Sequence, residues 1–207
     1  MIGIVDYGVG NLFSLRSSFF AVGAEAVVSR DPAVLAGCER LVLPGVGAFG
    51  DAARLLRESG MAEVVLSAVG RGTPLLGICL GMQLLFDRSL EYGDHRGLGL
   101  IPGTVRPISE VIPKDLKIPH IGWNALHLVK KTQIFRYLKE GDFVYFVHSF
   151  HGAECEASTV ATTEYGAPLC AAVASGNVFG CQFHPEKSGA VGLSILRAFA
   201  EGEVVAC

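Results

Sequence analysis

Short apolar runs alternate with longer amphipathic segments along the first half of this chain. The short runs have the composition of strands that are buried on both faces of a sheet. The first long segment lies between Asn11, a favoured helix N-cap residue, and Gly23, a favoured residue after a helix end. This alternation predicts βαβ units and therefore a parallel sheet. The predicted strands are residues 2–6, 26–29, 41–43 and 75–79, and the predicted helices are residues 11–22 and a long one within 51–69.

The pattern changes after Gly97, where short alternating stretches are separated by glycine and proline turns. A period of two is typical of strands with one exposed face, so this half is expected to be largely antiparallel. A last helix is predicted over residues 190–200. We therefore predict an α/β fold in a single domain over residues 1–207. Its central, mostly parallel sheet is flanked by helices and extended by an antiparallel portion in the second half.

Composition and charge exclude some classes of protein. Half of the 207 residues are hydrophobic, 18% are charged and 26 are glycines, which is typical of an α/β enzyme. The formal net charge is −3, and no basic cluster is larger than Lys130-Lys131. A protein that binds nucleic acid through its phosphates carries a basic surface, so no nucleic-acid partner is expected.

The apolar stretches and the cysteines also carry expectations. Mean hydropathy is +0.43, yet each apolar stretch is interrupted before it reaches the roughly 18 residues of a membrane span. The N-terminus lacks the basic region and cleavage site of a signal peptide, so we expect no membrane association and a cytoplasmic location. The six cysteines include no Cys-x-x-Cys pair and no ligand-like spacing with the six histidines. No metal site, no cofactor and no disulfide framework are expected.

The segment Gly77-Ile-Cys-Leu-Gly81 follows a predicted buried strand and has the pattern of a nucleophile elbow. Two glycines let the chain turn sharply from a strand into a helix, and the turn presents the central side chain. At a helix N-terminus, backbone N–H groups and the helix dipole favour the thiolate over the thiol. A lone buried cysteine is more often a core residue, but the flanking glycines favour Cys79 as a nucleophile.

A base for this nucleophile is offered near the far end of the chain by Phe183-His-Pro-Glu186. Side chains two residues apart point to the same face of a strand, so Glu186 is expected to orient and charge-stabilise the imidazole of His184. Pro185 cannot donate to a sheet ladder, which suits the end or edge of a strand. The predicted triad is Cys79, His184 and Glu186, and such triads do not require proximity in sequence.

A glycine-rich loop, Pro44-Gly-Val-Gly47, leaves another predicted parallel strand. The carboxyl ends of parallel strands share one edge of a sheet, and ligands of α/β proteins collect there. Backbone N–H groups near Val46 and that of Leu80, directly after the nucleophile, are therefore expected to converge as an oxyanion hole.

Together these segments resemble the class I glutamine amidotransferases, which carry a cysteine, histidine and glutamate triad. Further segments are similar to the family of glutaminase subunits of imidazole glycerol phosphate synthase, and the resemblance runs from about residue 3 to the last helix. It implies a flavodoxin-like fold. The resemblance to the superfamily is carried by Gly77-Ile-Cys-Leu-Gly-Met-Gln83, His184-Pro-Glu186 and Pro44-Gly-Val-Gly47. The resemblance to the family is carried by Asp6-Tyr-Gly-Val-Gly-Asn11, Pro119-His-Ile-Gly-Trp-Asn124, Tyr145-Phe-Val-His-Ser149 and Lys187.

The resemblance implies a role for each matching residue. The implied sets are Cys79, His184 and Glu186 for the triad; Val46, Gly47 and Leu80 for the oxyanion hole; Gln83, Ser149 and Phe150 for binding of L-glutamine; and Tyr7, Asn11 and Lys187 for the partner interface. The implied activity is hydrolysis of L-glutamine to glutamate and ammonia through a cysteine thioester. Ammonia would pass to a (β/α)8 cyclase subunit in a heterodimer, which forms imidazole glycerol phosphate and a purine precursor, AICAR, in histidine biosynthesis.

The glycines around Val46 suggest how this activity is controlled. A peptide flanked by glycines can rotate, so we hypothesise that the oxyanion hole forms fully only when the cyclase is loaded with its substrate. Turnover that does not respond to the partner and its substrate would refute this hypothesis.

Other functions fit the same motifs. A cysteine hydrolase or peptidase that acts alone would share the elbow and the histidine, and partner-independent ester turnover would favour it. A binding or redox-sensing module would keep Cys79 without turnover, although the complete triad argues against it. Within the superfamily, a glutaminase subunit of another synthase, such as those of vitamin B6 or aminobenzoate synthesis, differs only in the segments 7–11 and 119–124.

Overall fold

Residues 1–202, which the computed structural model describes, form fourteen strands and six α-helices. The strands are β1 (Ile2–Val5), β2 (Ala26–Ser29), β3 (Arg40–Leu43), β4 (Leu75–Ile78), β5 (Phe86–Ser89), β6 (His95–Arg96), β7 (Ile101–Pro107), β8 (His120–Ala125), β9 (His127–Leu128), β10 (Phe143–His148), β11 (Phe150–Ala153), β12 (Thr159–Glu164), β13 (Pro168–Ser175) and β14 (Val178–Cys181). The helices are α1 (Leu12–Ala21), α2 (Pro32–Ala36), α3 (Phe49–Glu58), α4 (Met61–Gly70), α5 (Leu80–Gln83) and α6 (Gly189–Glu201). Cys207 and the other residues after 202 in the predicted domain lie outside the described residues.

The central sheet has eight strands in the order β2-β1-β3-β4-β14-β13-β12-β9. The strands from β2 to β14 run parallel to one another, and β13, β12 and β9 extend the sheet in antiparallel pairs. The predicted α/β fold, with a mostly parallel sheet and an added antiparallel portion, is confirmed. Because β14 joins the sheet beside β4, segments about a hundred residues apart in sequence end at the same edge.

Helices cover both faces of this sheet because its central strands are apolar on both sides. Every residue of β1, β3 and β4 is buried. Leu41 and Leu43 pack in one cluster with Leu56 of α3, whereas Val42 packs on the opposite face with Phe199 of α6. Alternation of side chains along the strands thus builds one core on each face.

Helix α1 ends as the sequence predicts, but its start lacks the expected side-chain cap. Gly23 has a φ of 77°. Its N–H donates to Phe20 O at 3.0 Å, and the Ala24 N–H donates to Phe19 O at 3.0 Å, which are the two bonds of a Schellman motif. Asn11 occupies the N-cap position without a side-chain hydrogen bond to the helix.

The single long helix predicted within residues 51–69 is wrong, since the chain forms α3 and α4 there. Gly60 lies between them at a φ of 72°, and its N–H donates to Arg57 O at 2.9 Å, so it terminates α3. Leu56 and Met61 on either side of the break face the same core. The spacing of apolar residues therefore continues across the break, which is why the sequence predicts a single helix.

The second half is arranged less simply than the alternating pattern predicts. Its strands begin at Phe86, before Gly97, with the pair β5 and β6. These two strands join β7 and β11 in a four-stranded sheet in which β5 and β7 are parallel. A separate antiparallel pair, β8 and β10, completes this half.

Three properties of residues 1–202 bear on the predicted class. No helix there combines the length and the apolar character of a membrane span. No group of three or more His, Cys, Asp or Glu side chains is placed there to hold a metal ion. The five cysteines in this part of the chain are free and buried.

Candidate active site

Cys79 stands at a sharp corner between β4 and α5. Its backbone has φ 54° and ψ −113°, a conformation that residues other than glycine rarely adopt. Close backbone contacts hold this corner: a Cβ atom on Gly81 would lie 1.8 Å from Leu43 O, and one on Gly77 would lie 2.7 Å from Gly81 O. The geometry is that of a nucleophile elbow, as the spacing of the two glycines predicts.

The polarity around the Cys79 sulfur comes mainly from side chains. Helix α5 has four residues, so its macrodipole is weaker than the sequence-based expectation assumes. His184 lines the same cavity as Cys79, and Cys79 is one of the groups that raise the pKa of His184. Gln182 Nε2 donates to Cys79 Sγ at 3.9 Å. His184 and Gln182 are thus the polar side chains beside this sulfur.

His184 and Glu186 form a buried pair beside the cysteine. His184 Nδ1 donates to Glu186 Oε1 at 2.8 Å, and the two side chains are 4% and 2% exposed. The pair does not lie on a strand, since β14 ends at Cys181 and residues Pro185–Lys187 form a 3₁₀ turn. The prediction that His184 and Glu186 point to the same face of a strand is therefore wrong. The turn after Pro185 brings the carboxylate back to the ring instead.

The surroundings of His184 favour its protonated form. Burial lowers the pKa of His184, but its hydrogen bonds to Cys79 and Glu186, together with their charges, outweigh burial and raise this pKa to about 9. The ring is therefore an imidazolium at neutral pH. A cation next to a cysteine is the setting in which a reactive thiolate forms.

The loop of residues 44–47 lies next to the elbow because β3 and β4 are parallel neighbours that end at the same edge. Its base is tightly packed: a Cβ on Gly45 would lie 2.7 Å from Gly81 N. Its tip is open, since Val46 is 43% exposed and a Cβ on Gly47 would meet no atom within 4 Å. Gly47 also has a φ of 96°, which favours glycine.

One cavity of about 390 Å³ connects the elbow, this loop and the antiparallel half. Ligand pockets usually measure about 300–1,000 Å³, so this cavity suits a small molecule. The predicted site residues that line it are Val46, Gly47, Cys79, Leu80, Gln83, Ser149, Phe150, His184 and Lys187. The other lining residues are Glu91, Tyr92, Pro119, Val147 and His148.

The three residues predicted to bind the substrate share one wall of the cavity. Gln83 is the last residue of α5, and Ser149 and Phe150 lie where β10 passes into β11. Gln83 Nε2 donates to Phe150 O at 3.1 Å, which ties the elbow helix to the antiparallel half.

The three residues predicted to face a partner differ in their exposure. Lys187 is exposed at the cavity, with Nζ 5.8 Å from the centre of the Tyr145 ring. Asn11 is exposed but does not line the cavity. Tyr7 is 4% exposed, and its hydroxyl donates to Pro44 O at 2.7 Å. Tyr7 therefore does not take the surface position expected of it and supports the 44–47 loop from below.

Two lining residues, Glu91 and Tyr92, carry no recognisable sequence motif. Glu91 Oε2 accepts from the Phe49 N–H at 2.6 Å, and burial raises the pKa of this carboxyl. Tyr92 has a φ of 52° and is 89% exposed, and its ring lies 6.1 Å from that of Phe150. Both reach the cavity because the β5–β6 connection folds over the elbow, which no local pattern indicates.

His148 lines the cavity as a neutral ring. Burial lowers the pKa of His148 to about 3. Its Nδ1 lies 2.8 Å from Phe150 O, and its Nε2 lies 3.0 Å from His120 Nδ1. His148 therefore shapes the wall, and among the described lining residues His184 is left as the imidazole that can exchange protons.

Comparison with known proteins adds the family context. A family model described as "Glutamine amidotransferase class-I" matches residues 4–201. The chain is 50% identical over 203 residues to imidazole glycerol phosphate synthase subunit HisH of Geobacter metallireducens, over 96% of this chain and 97% of that protein. It is 48% identical over 209 residues to the same subunit of Caldanaerobacter subterraneus subsp. tengcongensis, over 100% of both chains. The structure of PurLQS from Thermotoga maritima shares the fold, with a TM-score of 0.75 and 22% identity over 96% of each chain.

Proposed function

Because the chain belongs to the class-I glutamine amidotransferases, we propose that Cys79, His184 and Glu186 are its catalytic triad. Within that family it is a glutaminase subunit of imidazole glycerol phosphate synthase. The observation that supports the triad is that Cys79 and His184 line one cavity and that Glu186 contacts His184 outside its lining. A thiol on a strained corner raises the pKa of the neighbouring imidazole, and a buried carboxylate accepts from that imidazole at 2.8 Å.

In the first half of the proposed reaction, the Cys79 thiolate attacks the side-chain carbonyl carbon of glutamine and forms a carbon–sulfur bond. The tetrahedral intermediate collapses when its carbon–nitrogen bond breaks. His184, whose raised pKa of about 9 keeps it protonated at neutral pH, donates a proton to the leaving nitrogen, so that ammonia departs. A γ-glutamyl thioester remains on Cys79.

In the second half, neutral His184 takes a proton from water as the water attacks the thioester carbon. The carbon–sulfur bond breaks, the thiolate is restored and glutamate leaves. Glu186 accepts from His184 Nδ1 and keeps the ring in the orientation that both proton transfers need.

The oxyanion of each tetrahedral intermediate would be held by the backbone N–H groups of Leu80 and of the Val46–Gly47 tip. The Leu80 N–H is the first of α5 and has no partner within its own helix. In measured cases the loss of one such donor costs about 2.7–4 kcal/mol of transition-state stabilisation. The open tip can aim its N–H toward the oxyanion or away from it, so we propose that the loaded cyclase completes the hole.

Glutamine would bind through the wall formed by Gln83, Ser149 and Phe150. Gln83 Nε2 is occupied by Phe150 O and by Gln182 Oε1, so the Gln83 carbonyl oxygen is the atom left for the substrate. Glu91 adds an anionic group at this end of the cavity. One of its oxygens accepts from a backbone N–H, which leaves the other for the substrate ammonium group.

The cyclase would dock on the face that carries Asn11 and Lys187. Exposed apolar side chains lie beside Lys187: Trp123 is 51% exposed, its ring is 6.1 Å from that of Tyr145, and Ile121 is 58% exposed. An exposed apolar patch rimmed by polar residues is typical of a protein-interaction site, and aromatic residues are enriched there. The resulting heterodimer would pass ammonia to the cyclase for histidine biosynthesis. A cytoplasmic location and one domain over residues 1–207 remain parts of this proposal.

Glutamate release from glutamine tests the proposal. It is measured for the wild type, for Cys79→Ala and for Cys38→Ala, with and without a (β/α)8 cyclase and its ribulosyl-formimino substrate. Cys38 is a matched control, because it is also buried and free but lies outside the cavity. Strong stimulation by the loaded cyclase is expected, with turnover lost in Cys79→Ala and kept in Cys38→Ala.

Other results would redirect the assignment. Glutamate release that does not respond to the cyclase would reject this partner and favour another synthase. Turnover of simple esters without glutamate release would favour a cysteine hydrolase, and no turnover of any substrate would favour a binding module.

A further inference from the structure

Gln182 is a buried carboxamide next to the nucleophile, and the triad does not use it. Strands β14 and β4 are parallel neighbours with Cys181 opposite Ile78, so the residues that follow them, Gln182 and Cys79, leave the sheet side by side. The Cys79 N–H donates to Cys181 O at 2.7 Å, which fixes this alignment. Gln182 is 0% exposed, so each polar atom of its side chain needs a partner within the protein.

The hydrogen bonds around Gln182 determine which end of its amide faces the sulfur. Phe150 O can only accept, so Gln83 must present its amide nitrogen to it, at 3.1 Å. The second hydrogen of that nitrogen points to Gln182 Oε1 at 2.9 Å. Gln182 therefore directs its own NH₂ group toward Cys79 Sγ, at 3.9 Å. Reversing the Gln182 amide would set two NH₂ groups against each other.

We propose that Gln182 is a second hydrogen-bond donor to the Cys79 sulfur and favours its thiolate form together with His184. A thiolate is a good acceptor for a buried N–H, whereas a thiol is a weak one. The donor therefore stabilises the state of the cysteine that reacts. The effect on glutamine turnover rests on the proposed glutaminase function, but the effect on thiol reactivity does not.

The amide differs from the imidazole in one respect that matters for the cycle. The sulfur is negative before it attacks glutamine and again when the thioester breaks. In the proposed mechanism His184 is protonated at both of these stages, but its proton is the one that passes to the leaving nitrogen or has just come from water. The Gln182 amide takes no part in proton transfer, so it donates to the sulfur without giving up a hydrogen.

Alkylation of Cys79 by iodoacetamide tests the proposal on the full chain. The thiolate attacks the CH₂ group and iodide leaves, and peptide mass spectrometry reports the modified cysteine. The variants are Gln182→Leu and Gln182→Met, which both remove the amide donor and keep a side chain of similar size. The matched control is Asn177→Leu at the opposite end of β14, where Asn177 Nδ2 donates to Val69 O at 3.0 Å and Thr73 O at 2.9 Å.

Both Gln182 variants are expected to react at least about tenfold more slowly than the wild type near neutral pH, as loss of a hydrogen bond to a charged group implies. The midpoint of their alkylation pH profiles should lie at higher pH, and Asn177→Leu should match the wild type within about twofold. Partial unfolding exposes a buried thiol and speeds its alkylation, so misfolding cannot imitate a slower rate. In the complex with the cyclase, kcat for glutamine should fall by the same order as the alkylation rate.

Two results would overturn the proposal. One is alkylation of both Gln182 variants at the wild-type rate, and the other is equal slowing by Asn177→Leu. Either would make Gln182 a packing residue. Failure of the glutaminase assignment looks different, because the wild type would then release no glutamate while the alkylation rates still separated the variants.

Discussion

Two loops leave neighbouring parallel strands at the same edge of the sheet, and they are built in opposite ways. The elbow after β4 is enclosed by backbone, since a Cβ on Gly81 would lie 1.8 Å from Leu43 O. The loop after β3 is held at its base, where the Tyr7 hydroxyl donates to a backbone carbonyl at 2.7 Å. Its tip is open, with Val46 exposed and no atom near the position of a Cβ on Gly47.

The difference separates two tasks of the site. A nucleophile must keep one position relative to its base, and the strained backbone of Cys79, which costs about 1–3 kcal/mol, persists because the surrounding packing enforces it. An oxyanion hole acts only in the transition state, so its donors need not be in place beforehand. Under the proposed function, the triad therefore stays aligned in the free subunit, and the oxyanion hole is completed when the partner binds.

Removal of the Glu186 charge from the triad should have the largest effect. Glu186→Gln keeps the shape of the side chain but lowers the pKa of His184, which Cys79 and Glu186 raise to about 9. We expect turnover of glutamine to fall on the order of 10⁴-fold, as in other triads that lose a charged orienting residue. The alkaline limb of the kcat/KM profile, expected near pH 9 in the wild type, should move to lower pH.

A surface pair provides the control for this change. Glu140 accepts from His127 Nδ1 at 2.9 Å, so Glu140→Gln removes the same kind of contact away from the cavity. Its pH profile should equal that of the wild type. An unshifted alkaline limb in Glu186→Gln would mean that Glu186 does not tune His184.

A methyl group on the elbow should have the next largest effect. In Gly81→Ala the new Cβ meets the Leu43 carbonyl, and backbone on both sides cannot rotate away. We expect the free energy of unfolding to fall by about 3 kcal/mol and glutamine turnover to fall about 10²-fold. Urea titration and glutamate release measure the two quantities.

Gly70→Ala at the end of α4, where a Cβ meets nothing within 4 Å, should change stability by about 1 kcal/mol or less. Equal stability of the two variants would show that the elbow is not locked.

The open tip should respond in activity more than in stability. Gly47→Ala forces a side chain onto a φ of 96°, which costs about 1–2 kcal/mol unless the loop shifts. We expect turnover in the complex to fall about tenfold, because a shifted tip misaims its N–H. Gly23→Ala introduces similar strain at a φ of 77° far from the cavity and should keep full turnover. Wild-type turnover in Gly47→Ala would exclude the tip from the oxyanion hole.

Loosening the base of the open loop should have the smallest effect. Tyr7→Phe removes a buried hydrogen bond to Pro44 O, so the free energy of unfolding should fall by about 1 kcal/mol and turnover by about threefold. Tyr165→Phe loses a comparable bond to Lys117 O at 2.9 Å in an exposed region and should keep wild-type turnover. Equal turnover in the two variants would show that the base does not control the tip.

The sequence predicts those structural features that depend on interactions between residues close together in the chain. Two glycines around Cys79 predict the elbow, and apolar runs predict the parallel strands, because backbone sterics and burial act over a few residues. Gly60 is harder to interpret, since the apolar spacing continues across it. The pairing of His184 with Glu186 is predicted correctly but from the wrong local geometry. The prediction assumes that the strand continues to Glu186, whereas β14 ends at Cys181 and a turn follows.

The remaining features depend on contacts between distant segments. Gln182 reaches Cys79 through the register of β14 against β4, and no pattern around residue 182 encodes that register. Glu91 and Tyr92 line the cavity because of the fold of one connection. Tyr7 belongs to a segment that resembles a partner-facing motif, yet its ring is buried under the loop it supports.

Direct detection of the covalent intermediate tests the locked triad most closely. The complex with the loaded cyclase is mixed with glutamine, quenched in acid within a turnover and mapped by mass spectrometry. The expected result is a γ-glutamyl group on the peptide that contains Cys79. This group should be absent in Cys79→Ala, and it should be enriched in Glu186→Gln if that change slows deacylation more than acylation. Glutamate formation at the wild-type rate in Cys79→Ala, or an adduct on another cysteine, would contradict the assignment of Cys79 as the nucleophile.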